Sequence, residues 1–295
     1  MASDAVLLLA YGSPARLDDV EAYYTDIRRG RPPTAEQLAD LRRRYDAIGG
    51  LSPLAARTEA QRAALQRALG NDIPVVLGFK HTAPSIEEAV AAIDAERIVA
   101  LVLAPHFSAL SVGEYHERTQ AAAGGRTVIG IRSWATLPAY VDFLAGAVRA
   151  ELAHLPAATK VLFTAHSLPA RVEAMGDPYA GELRATAEAV AAQAGLAPWA
   201  QWATAWQSAG RTPEPWLGPD VRTVIDDLAG TGRGTGVLVC PCGFVSDHLE
   251  VLYDLDIEAR AAAEAHGLAF ARTPVANDDP AVMAGLADLV RAALA

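Results

Sequence analysis

Short apolar runs rich in β-branched residues alternate along this 295-residue chain with longer segments that have the spacing of amphipathic helices. This alternation constrains the fold more than any other feature, because it is typical of the βαβ units that build parallel sheets. We predict eight strands, at residues 6–10, 74–79, 98–104, 127–132, 161–165, 202–206, 236–240 and 268–271. The main helical segments are predicted at residues 58–69, 85–95, 139–154, 181–194 and 247–265.

The predicted strands divide into two groups of four, with a break between them near Leu155 and Pro156. A single eight-stranded barrel has the same number of strands, but two long additional helical segments after the first strand interrupt the rhythm of a barrel. We therefore expect an α/β protein with two doubly wound domains, at residues 1–155 and 156–295. In open parallel sheets, ligands bind beyond the carboxyl ends of the strands, so the residues that directly follow strands are the first functional candidates.

The composition excludes several classes of protein. The net charge of −10, from 35 acidic and 25 basic residues, argues against a nucleic-acid partner, which would favour a basic face. The longest purely apolar stretches, residues 5–11 and 98–104, are far shorter than the roughly 20 residues that span a bilayer. The chain begins Met1-Ala2-Ser3-Asp4, with an acid where a secretory signal has bases, so we expect a cytoplasmic protein.

The two cysteines, Cys240 and Cys242, are separated by one residue. Two thiols exclude a disulfide framework, and they cannot complete a four-cysteine zinc or iron–sulfur site. Their spacing suits neither a zinc knuckle nor a redox motif with two intervening residues. We expect both thiols to be structural, because free cysteine behaves as a small buried hydrophobe.

Three strand ends carry residues that suit a ligand cleft. The first strand runs into Tyr11 and Ser13, whose hydroxyls would lie at the mouth of a cleft, although Ser13 also suits a helix N-cap. The third strand leads to His106 and the fifth to His166. We expect His106 to be a hydrogen-bonded structural residue, whereas His166 is followed by the turn at residues 176–179 and by aromatic residues that favour a functional role.

A basic segment spans residues 28–44, which contain six arginines and only two acids in a chain that is negative overall. Because arginine binds carboxylates through paired hydrogen bonds, the segment suits a ligand with carboxylate arms. A solvated helix face without a ligand explains the same run equally well. The six arginines are Arg28, Arg29, Arg31, Arg42, Arg43 and Arg44.

An acidic segment follows the seventh predicted strand, where five acids and no lysine or arginine lie between Ser246 and Glu258. In a helix, Glu250, Asp254 and Glu258 share one face, and like charges four residues apart are destabilising there. A row of carboxylates that passes a divalent cation along would offset this cost, and carboxylate with imidazole suits ferrous iron. The helix macrodipole explains only the first acids of the row.

Taken in order, these motifs resemble the ferrochelatase family, whose members insert ferrous iron into a porphyrin. The resemblance runs nearly from end to end, and the length of its motifs makes it specific. The blocks at 27–31 and 44–54 are similar to the soluble, monomeric bacterial branch that uses coproporphyrin III, whereas the membrane-associated branch that uses protoporphyrin differs there. The matching segments are residues 7–14, 27–31, 44–54, 103–108, 165–169, 176–179, 206–208, 215–220 and 243–258.

The resemblance implies two Rossmann-like domains, each a four-stranded parallel sheet flanked by helices, with the porphyrin cleft between them and the last helix packing back on the first domain. It implies a catalytic pair, His166 and Glu250, and a metal path formed by His166, Glu250, Asp254 and Glu258. It also places Tyr11 on the opposite face of the porphyrin, where a tyrosine can be an axial ligand of iron. The residues implied to hold the macrocycle and its propionates are Tyr11, Ser13, Arg28, Arg29, Arg44, Tyr45, Ser52 and Tyr115.

We therefore expect an enzyme of haem biosynthesis that exchanges ferrous iron for two porphyrin protons, with iron as a substrate and no organic cofactor. We expect His166 to accept a proton as a neutral imidazole with a pKa of roughly 6.5. Some relatives carry a [2Fe–2S] cluster on four cysteines, and with two cysteines we expect none. The expected partners of this monomer are the porphyrin, ferrous iron and downstream haem-pathway enzymes, with no nucleic acid and no transmembrane segment.

The sequence leaves three alternatives open. They are a protoporphyrin IX ferrochelatase, a related cobalt chelatase of corrinoid synthesis, and a two-lobed metal or haem carrier without enzymatic activity. A cobalt chelatase is expected to have a histidine-centred metal site and to lack the arginine pattern of residues 28–44. Catalytic turnover in excess of protein distinguishes an enzyme from a carrier.

Overall fold

The computed structural model describes residues 3–198, 200–210 and 212–295, and it contains two four-stranded sheets in which neighbouring strands are parallel. The strand orders are β2-β1-β3-β4 and β6-β5-β7-β8. All eight predicted strands are present, which confirms the predicted α/β fold with two parallel sheets. The strands are β1 (Asp4–Ala10), β2 (Val75–Phe79), β3 (Arg97–Val102), β4 (Thr127–Ile131), β5 (Thr159–His166), β6 (Trp202–Gln207), β7 (Gly236–Cys240) and β8 (Ala269–Arg272).

Helices flank both sheets. They are α1 (Val20–Ile27), α2 (Ala35–Ala47), α3 (Leu54–Leu69), α4 (Ile86–Ala92), α5 (Glu114–Ala122), α6 (Pro138–Leu152), α7 (Arg171–Ala174), α8 (Tyr179–Ala194), α9 (Val221–Thr231), α10 (Arg260–Ala265) and α11 (Pro280–Leu294). Reciprocal capping bonds between Thr34 and Gln37 and between Ser85 and Glu88 start α2 and α4. We call the elements from β1 to α6 the N-terminal lobe and those from β5 to α11 the C-terminal lobe.

Two segments form π-helical turns, Ala109–Gly113 and Val251–Ala259. The second occupies the middle of the helix predicted at 247–265, so the prediction of an ordinary α-helix there is wrong. The buried positions Val251, Leu255 and Ala259 are spaced by four, which also keeps residues on one face of an α-helix, so the sequence pattern does not distinguish the two kinds of helix.

The hydrophobic core is continuous between the two sheets. One cluster of buried side chains includes Leu8 and Leu101 from the first sheet together with Phe163 and Leu238 from the second. Helix α11 packs against α3 and α6, so the end of the chain contacts the N-terminal lobe. The predicted division between domains at residue 155 stays a prediction. Among the helices of the described residues, none is both long enough and apolar enough to cross a membrane.

Both cysteines lie in this core. Cys240 ends β7, and the two side chains are fully buried and unpaired with each other. Burial raises the pKa of the Cys240 thiol to about 12. The thiol of Cys242 contacts the backbone carbonyl of Thr164 at 3.8 Å. Burial keeps both thiols in the protonated, unreactive form, as expected for structural cysteines.

His106 is a buried polar contact between the lobes, as the sequence predicted for a structural histidine. Its Nε2 lies 2.9 Å from the hydroxyl of Thr186, which in turn donates to the carbonyl of Ala135 at 2.7 Å. Because the single hydroxyl proton of Thr186 is used there, Nε2 of His106 carries the hydrogen. Its Nδ1 has no hydrogen-bond partner among the described residues. Burial lowers the pKa of His106 to about 3.

We predict that His106→Gln removes part of the acid sensitivity of the fold. Between pH 6.5 and 3 the unfolded chain binds a proton at His106 and the folded chain does not. Acid therefore reduces the stability of the native protein. From pH 7 to pH 5 the native protein should lose about 2 kcal/mol relative to the variant. Urea unfolding of both proteins at each pH measures this, and parallel pH dependences would contradict it.

Candidate active site

Several of the predicted site residues follow the carboxyl ends of strands, as expected for parallel sheets. Tyr11 directly follows β1, and His166 is the last residue of β5. Glu250 lies directly before the π-helical turn Val251–Ala259, ten residues after β7 ends at Cys240. Nε2 of Gln207, the last residue of β6, donates to the carbonyl of Glu250 at 3.4 Å and so connects the end of β6 to the segment that follows β7.

Two imidazoles bracket the carboxylate of Glu250. Nε2 of His166 lies 3.5 Å from one carboxylate oxygen, and Nε2 of His248 lies 3.6 Å from the other. In both rings Nδ1 faces a backbone carbonyl, that of Ser167 for His166 and that of Ser246 for His248. A carbonyl only accepts, so each Nδ1 carries a hydrogen and each Nε2 is presented to Glu250.

This arrangement favours a proton on His166 and a negative charge on Glu250. Burial alone would lower the pKa of His166, but the neighbouring carboxylate of Glu250 raises it to about 9. Burial would likewise raise the pKa of Glu250, but His166 and His248 hold it well below its usual range. The expectation of a neutral His166 with an ordinary pKa is therefore wrong for this geometry, because it left out the charge of Glu250.

The acids that follow Glu250 are paired with basic residues from other segments. Asp254 is buried, contacts Nη1 of Arg44 at 3.3 Å and accepts a hydrogen bond from Ser208. Burial and the charge of Glu250 nevertheless raise the pKa of Asp254 to about 6. Glu258 lies 3.5 Å from Nη1 of Arg222 in α9. Tertiary contacts thus offset the repulsion that the sequence predicts for this row.

Tyr11 lies on the N-terminal lobe, directly after β1. It is 42% exposed, so part of this residue is accessible to a ligand. Its ring packs against that of His81, with 4.5 Å between ring centroids. Burial of the hydroxyl and the charge of Glu250 raise the pKa of Tyr11, and the same two causes raise the pKa of Tyr45 to about 12. Both phenols therefore lie within electrostatic reach of the Glu250 carboxylate.

The remaining predicted residues line the N-terminal lobe. Nε of Arg28 donates to the carbonyl of Arg31 at 3.1 Å, and the next residue, Arg29, has a left-handed backbone with φ 57°. The hydroxyl of Ser52 accepts the amide hydrogen of Leu54 at the start of α3. Ser13 has a buried hydroxyl without a hydrogen-bond partner among the described residues.

Tyr115 is buried, and Nζ of Lys80 lies 5.3 Å from the centre of its ring.

Contacts or charge connect six of the predicted residues, which are His166, Glu250, Asp254, Arg44, Tyr11 and Tyr45. The contacts of Arg28 and Ser52 lie within their own segments.

Three residues near the site were not identified from the sequence. His248 brackets Glu250, His81 packs on Tyr11, and Tyr23 donates a hydrogen bond to the carbonyl of Gly12 at 3.1 Å. His248 lies in the acidic segment and two residues from Glu250, a spacing that could have drawn attention to it. Tyr23 lies in α1 and His81 lies in the loop after β2, and their proximity to the segment around Tyr11 depends on the tertiary fold. Within the described ranges, no three or more His, Cys, Asp or Glu side chains are already arranged to hold a metal ion.

Two four-stranded parallel sheets flanked by helices, with candidate residues at the carboxyl ends of their strands, define a protein of the two-lobed α/β class. The fold agrees with solved structures of this class. SirB from Bacillus subtilis superposes with a TM-score of 0.57 at 16% identity, covering 99% of this chain and 96% of that one. CbiX, described as the terminal enzyme for siroheme biosynthesis in denitrifying bacteria, superposes with a TM-score of 0.56 at 16% identity, covering 99% of this chain and all of the other.

The chain belongs to the ferrochelatase family, whose sequence model matches residues 3–294. It is 44% identical to the coproporphyrin III ferrochelatase of Geobacillus kaustophilus over 97% of this chain and 94% of that protein. It is 40% identical to the coproporphyrin III ferrochelatase of Bacillus subtilis over 97% of this chain and 96% of that protein. The family resemblance inferred from the motifs is confirmed.

We predict that Arg44→Met destabilises the protein by about 2 kcal/mol, because it leaves the buried Asp254 beside Glu250 without its cation. Urea unfolding at pH 7.5 measures the loss. The matched control is Arg43→Met, which removes an exposed ion pair with Asp40 and should cost less than about 1 kcal/mol.

Adding Asp254→Asn to Arg44→Met should recover much of that stability, because the second change removes the uncompensated charge. Equal losses in the Arg44 and Arg43 variants, or no recovery in the double variant, would contradict the importance of this ion pair.

Proposed function

We propose that this protein is an enzyme that inserts ferrous iron into coproporphyrin III and releases two protons, as a step of haem biosynthesis. The observation that carries the proposal is the His166–Glu250 pair, whose carboxylate charge reaches Tyr11, in a chain that matches coproporphyrin III ferrochelatases over nearly its whole length. Iron is a substrate in this reaction, and no organic cofactor is needed. We also propose that the chain carries no [2Fe–2S] cluster and acts as a cytoplasmic monomer.

The reaction exchanges one Fe²⁺ for two pyrrole N–H protons. A flat porphyrin shields the lone pairs of its nitrogens, so the cleft must distort the ring, and binding of the remote carboxylate arms supplies the energy. We assign the anchoring of these arms to Arg28, Arg29 and Arg44. The other residues assigned to hold the macrocycle are Tyr11, Ser13, Tyr45, Ser52 and Tyr115.

His166 and Glu250 act together on the metal and the protons. In the geometry described here His166 already holds a proton, because Glu250 raises its pKa to about 9. A cation at Glu250 neutralises that carboxylate, so His166 can release its proton and accept one from a pyrrole nitrogen. Asp254 and Glu258 are assigned to the path along which the metal reaches Glu250.

The test of this function is His166→Asn in an anaerobic assay with Fe²⁺ and coproporphyrin III. The variant keeps a polar side chain of similar size but has no titratable nitrogen, so kcat should fall by about 100-fold or more. Binding of coproporphyrin III, followed by its fluorescence, should remain measurable. The matched control is His154→Asn at an exposed position after α6, which should retain normal turnover. A His166 variant with near-normal turnover would refute the catalytic assignment.

Arg28→Ala should chiefly affect the porphyrin. Loss of a charge-assisted contact to a propionate is expected to raise the KM for coproporphyrin III by about 10-fold or more, with little change in the KM for Fe²⁺. Arg42→Ala, at an exposed position of the same basic segment, is the control for a general loss of positive charge. Initial rates over a range of each substrate measure both constants, and equal effects of the two variants would contradict the anchoring role of Arg28.

A further inference from the structure

We propose that Asp177 and Glu182 form an interlobe latch that sets the width of the cleft, and that they are positioning residues for the reaction. The latch consists of these two carboxylates, which lie just before and within the first turn of α8 in the C-terminal lobe and accept hydrogen bonds from two loops of the N-terminal lobe. The inference rests on the proposed function and concerns how its site is held in shape.

Asp177 accepts three hydrogen bonds. One carboxylate oxygen takes the hydroxyl of Ser108 at 2.9 Å and the backbone N–H of Ala109 at 2.7 Å. The other oxygen takes the N–H of Tyr179 at 3.0 Å, which fixes the carboxylate against its own helix. Hydrogen bonds to an ionised acceptor are roughly twice as strong as neutral ones, so this single side chain holds the two lobes firmly together.

Glu182 repeats the arrangement one turn further along α8. A single carboxylate oxygen accepts the N–H of Phe107 at 2.6 Å and the hydroxyl of Ser133 at 2.8 Å. Two loops of the N-terminal lobe, one after β3 and one after β4, therefore meet at the same side chain. Another turn along, Thr186 contacts His106 and the carbonyl of Ala135. One face of α8 thus binds the N-terminal lobe through successive polar side chains.

The latch lies between two residues of the proposed site. On the N-terminal side, Ala109 begins the π-helical turn Ala109–Gly113, which leads within two residues to Tyr115. On the C-terminal side, the hydroxyl of Tyr179 donates to the carbonyl of His166 at 2.9 Å. Asp177 is therefore joined by hydrogen bonds and a few residues of backbone both to the porphyrin wall around Tyr115 and to the proposed proton acceptor.

The two walls joined by the latch face each other across an open space. A cavity of about 390 Å³ has Ala109, Leu110 and Glu114 on the N-terminal side and Leu168, Pro169 and Arg171 on the C-terminal side. Any change at the latch would alter the gap between these walls. Since distortion of the porphyrin requires walls that do not yield, a fixed gap matters more for turnover than for binding.

The chemistry of the latch requires carboxylates. A carboxylate offers acceptor sites on both oxygens, whereas an amide presents one acceptor oxygen and one donor group. Asp177→Asn has nearly the same size, but it cannot accept from Ser108, Ala109 and Tyr179 at once. The variant therefore loosens the contact between the lobes without removing packing volume or any group assigned to contact substrate.

The experiment compares Asp177→Asn with Asp279→Asn. Asp279 also accepts two backbone N–H groups, from Ala281 and Val282, but these bonds cap α11, and among the described residues it has no hydrogen bond to the loops after β3 and β4. We expect kcat for iron insertion to fall by about 10-fold or more in the Asp177 variant. The Kd for coproporphyrin III and the KM for Fe²⁺ should change by less than about threefold. The Asp279 variant should lose stability only and keep its kcat.

Amide hydrogen exchange provides a readout that does not depend on the proposed reaction. Exchange at residues 107–109 should accelerate in Asp177→Asn and in Glu182→Gln, and should be unchanged in Asp279→Asn. Unchanged exchange in both latch variants, or equal kcat in the Asp177 and Asp279 variants, would overturn the latch. Wild-type protein that fails to insert iron would instead overturn the proposed function, while the exchange experiment would still decide whether the latch exists.

Discussion

The close charge pair of His166 and Glu250 organises the rest of the site. A carboxylate held between two imidazoles stays ionised, and it keeps a proton on His166 at neutral pH. Both imidazoles are oriented by backbone carbonyls, so their Nε2 atoms point to the carboxylate without help from other side chains. Burial raises the pKa of Tyr11, Tyr45 and Asp254, and the negative charge of Glu250 raises the pKa of each further.

The fold keeps this charge in place by distributing counterions from distant segments. Arg44 of α2 reaches Asp254, Arg222 of α9 reaches Glu258, and Arg272 of β8 contacts Asp256 at 2.7 Å. Each pair joins the π-helical segment to a different element, and the pair with Arg44 joins it to the N-terminal lobe. These ion pairs offset the repulsion among the carboxylates, so the row can attract a cation and remain helical.

The order of elements could be predicted because strand and helix periodicities are local properties. From the strand ends, the charged segments and the family resemblance, the candidate residues could also be predicted. The partners of those residues could not. Arg44 and Asp254 are 210 residues apart, so nothing in the local pattern indicates their ion pair. The pKa of His166 was expected near its ordinary value for the same reason, since the effect of Glu250 requires the tertiary contact. The π-helical turn was missed because a period of four is easily read as an α-helix face.

We propose that the cleft catalyses insertion of ferrous iron into a porphyrin with several carboxylate arms. The most direct test of this activity offers purified protein Fe²⁺ under anaerobic conditions, with coproporphyrin III and protoporphyrin IX compared side by side. We expect many turnovers per protein and a higher kcat/KM for coproporphyrin III. One metalloporphyrin or fewer per protein, or a clear preference for protoporphyrin IX, would contradict this proposal.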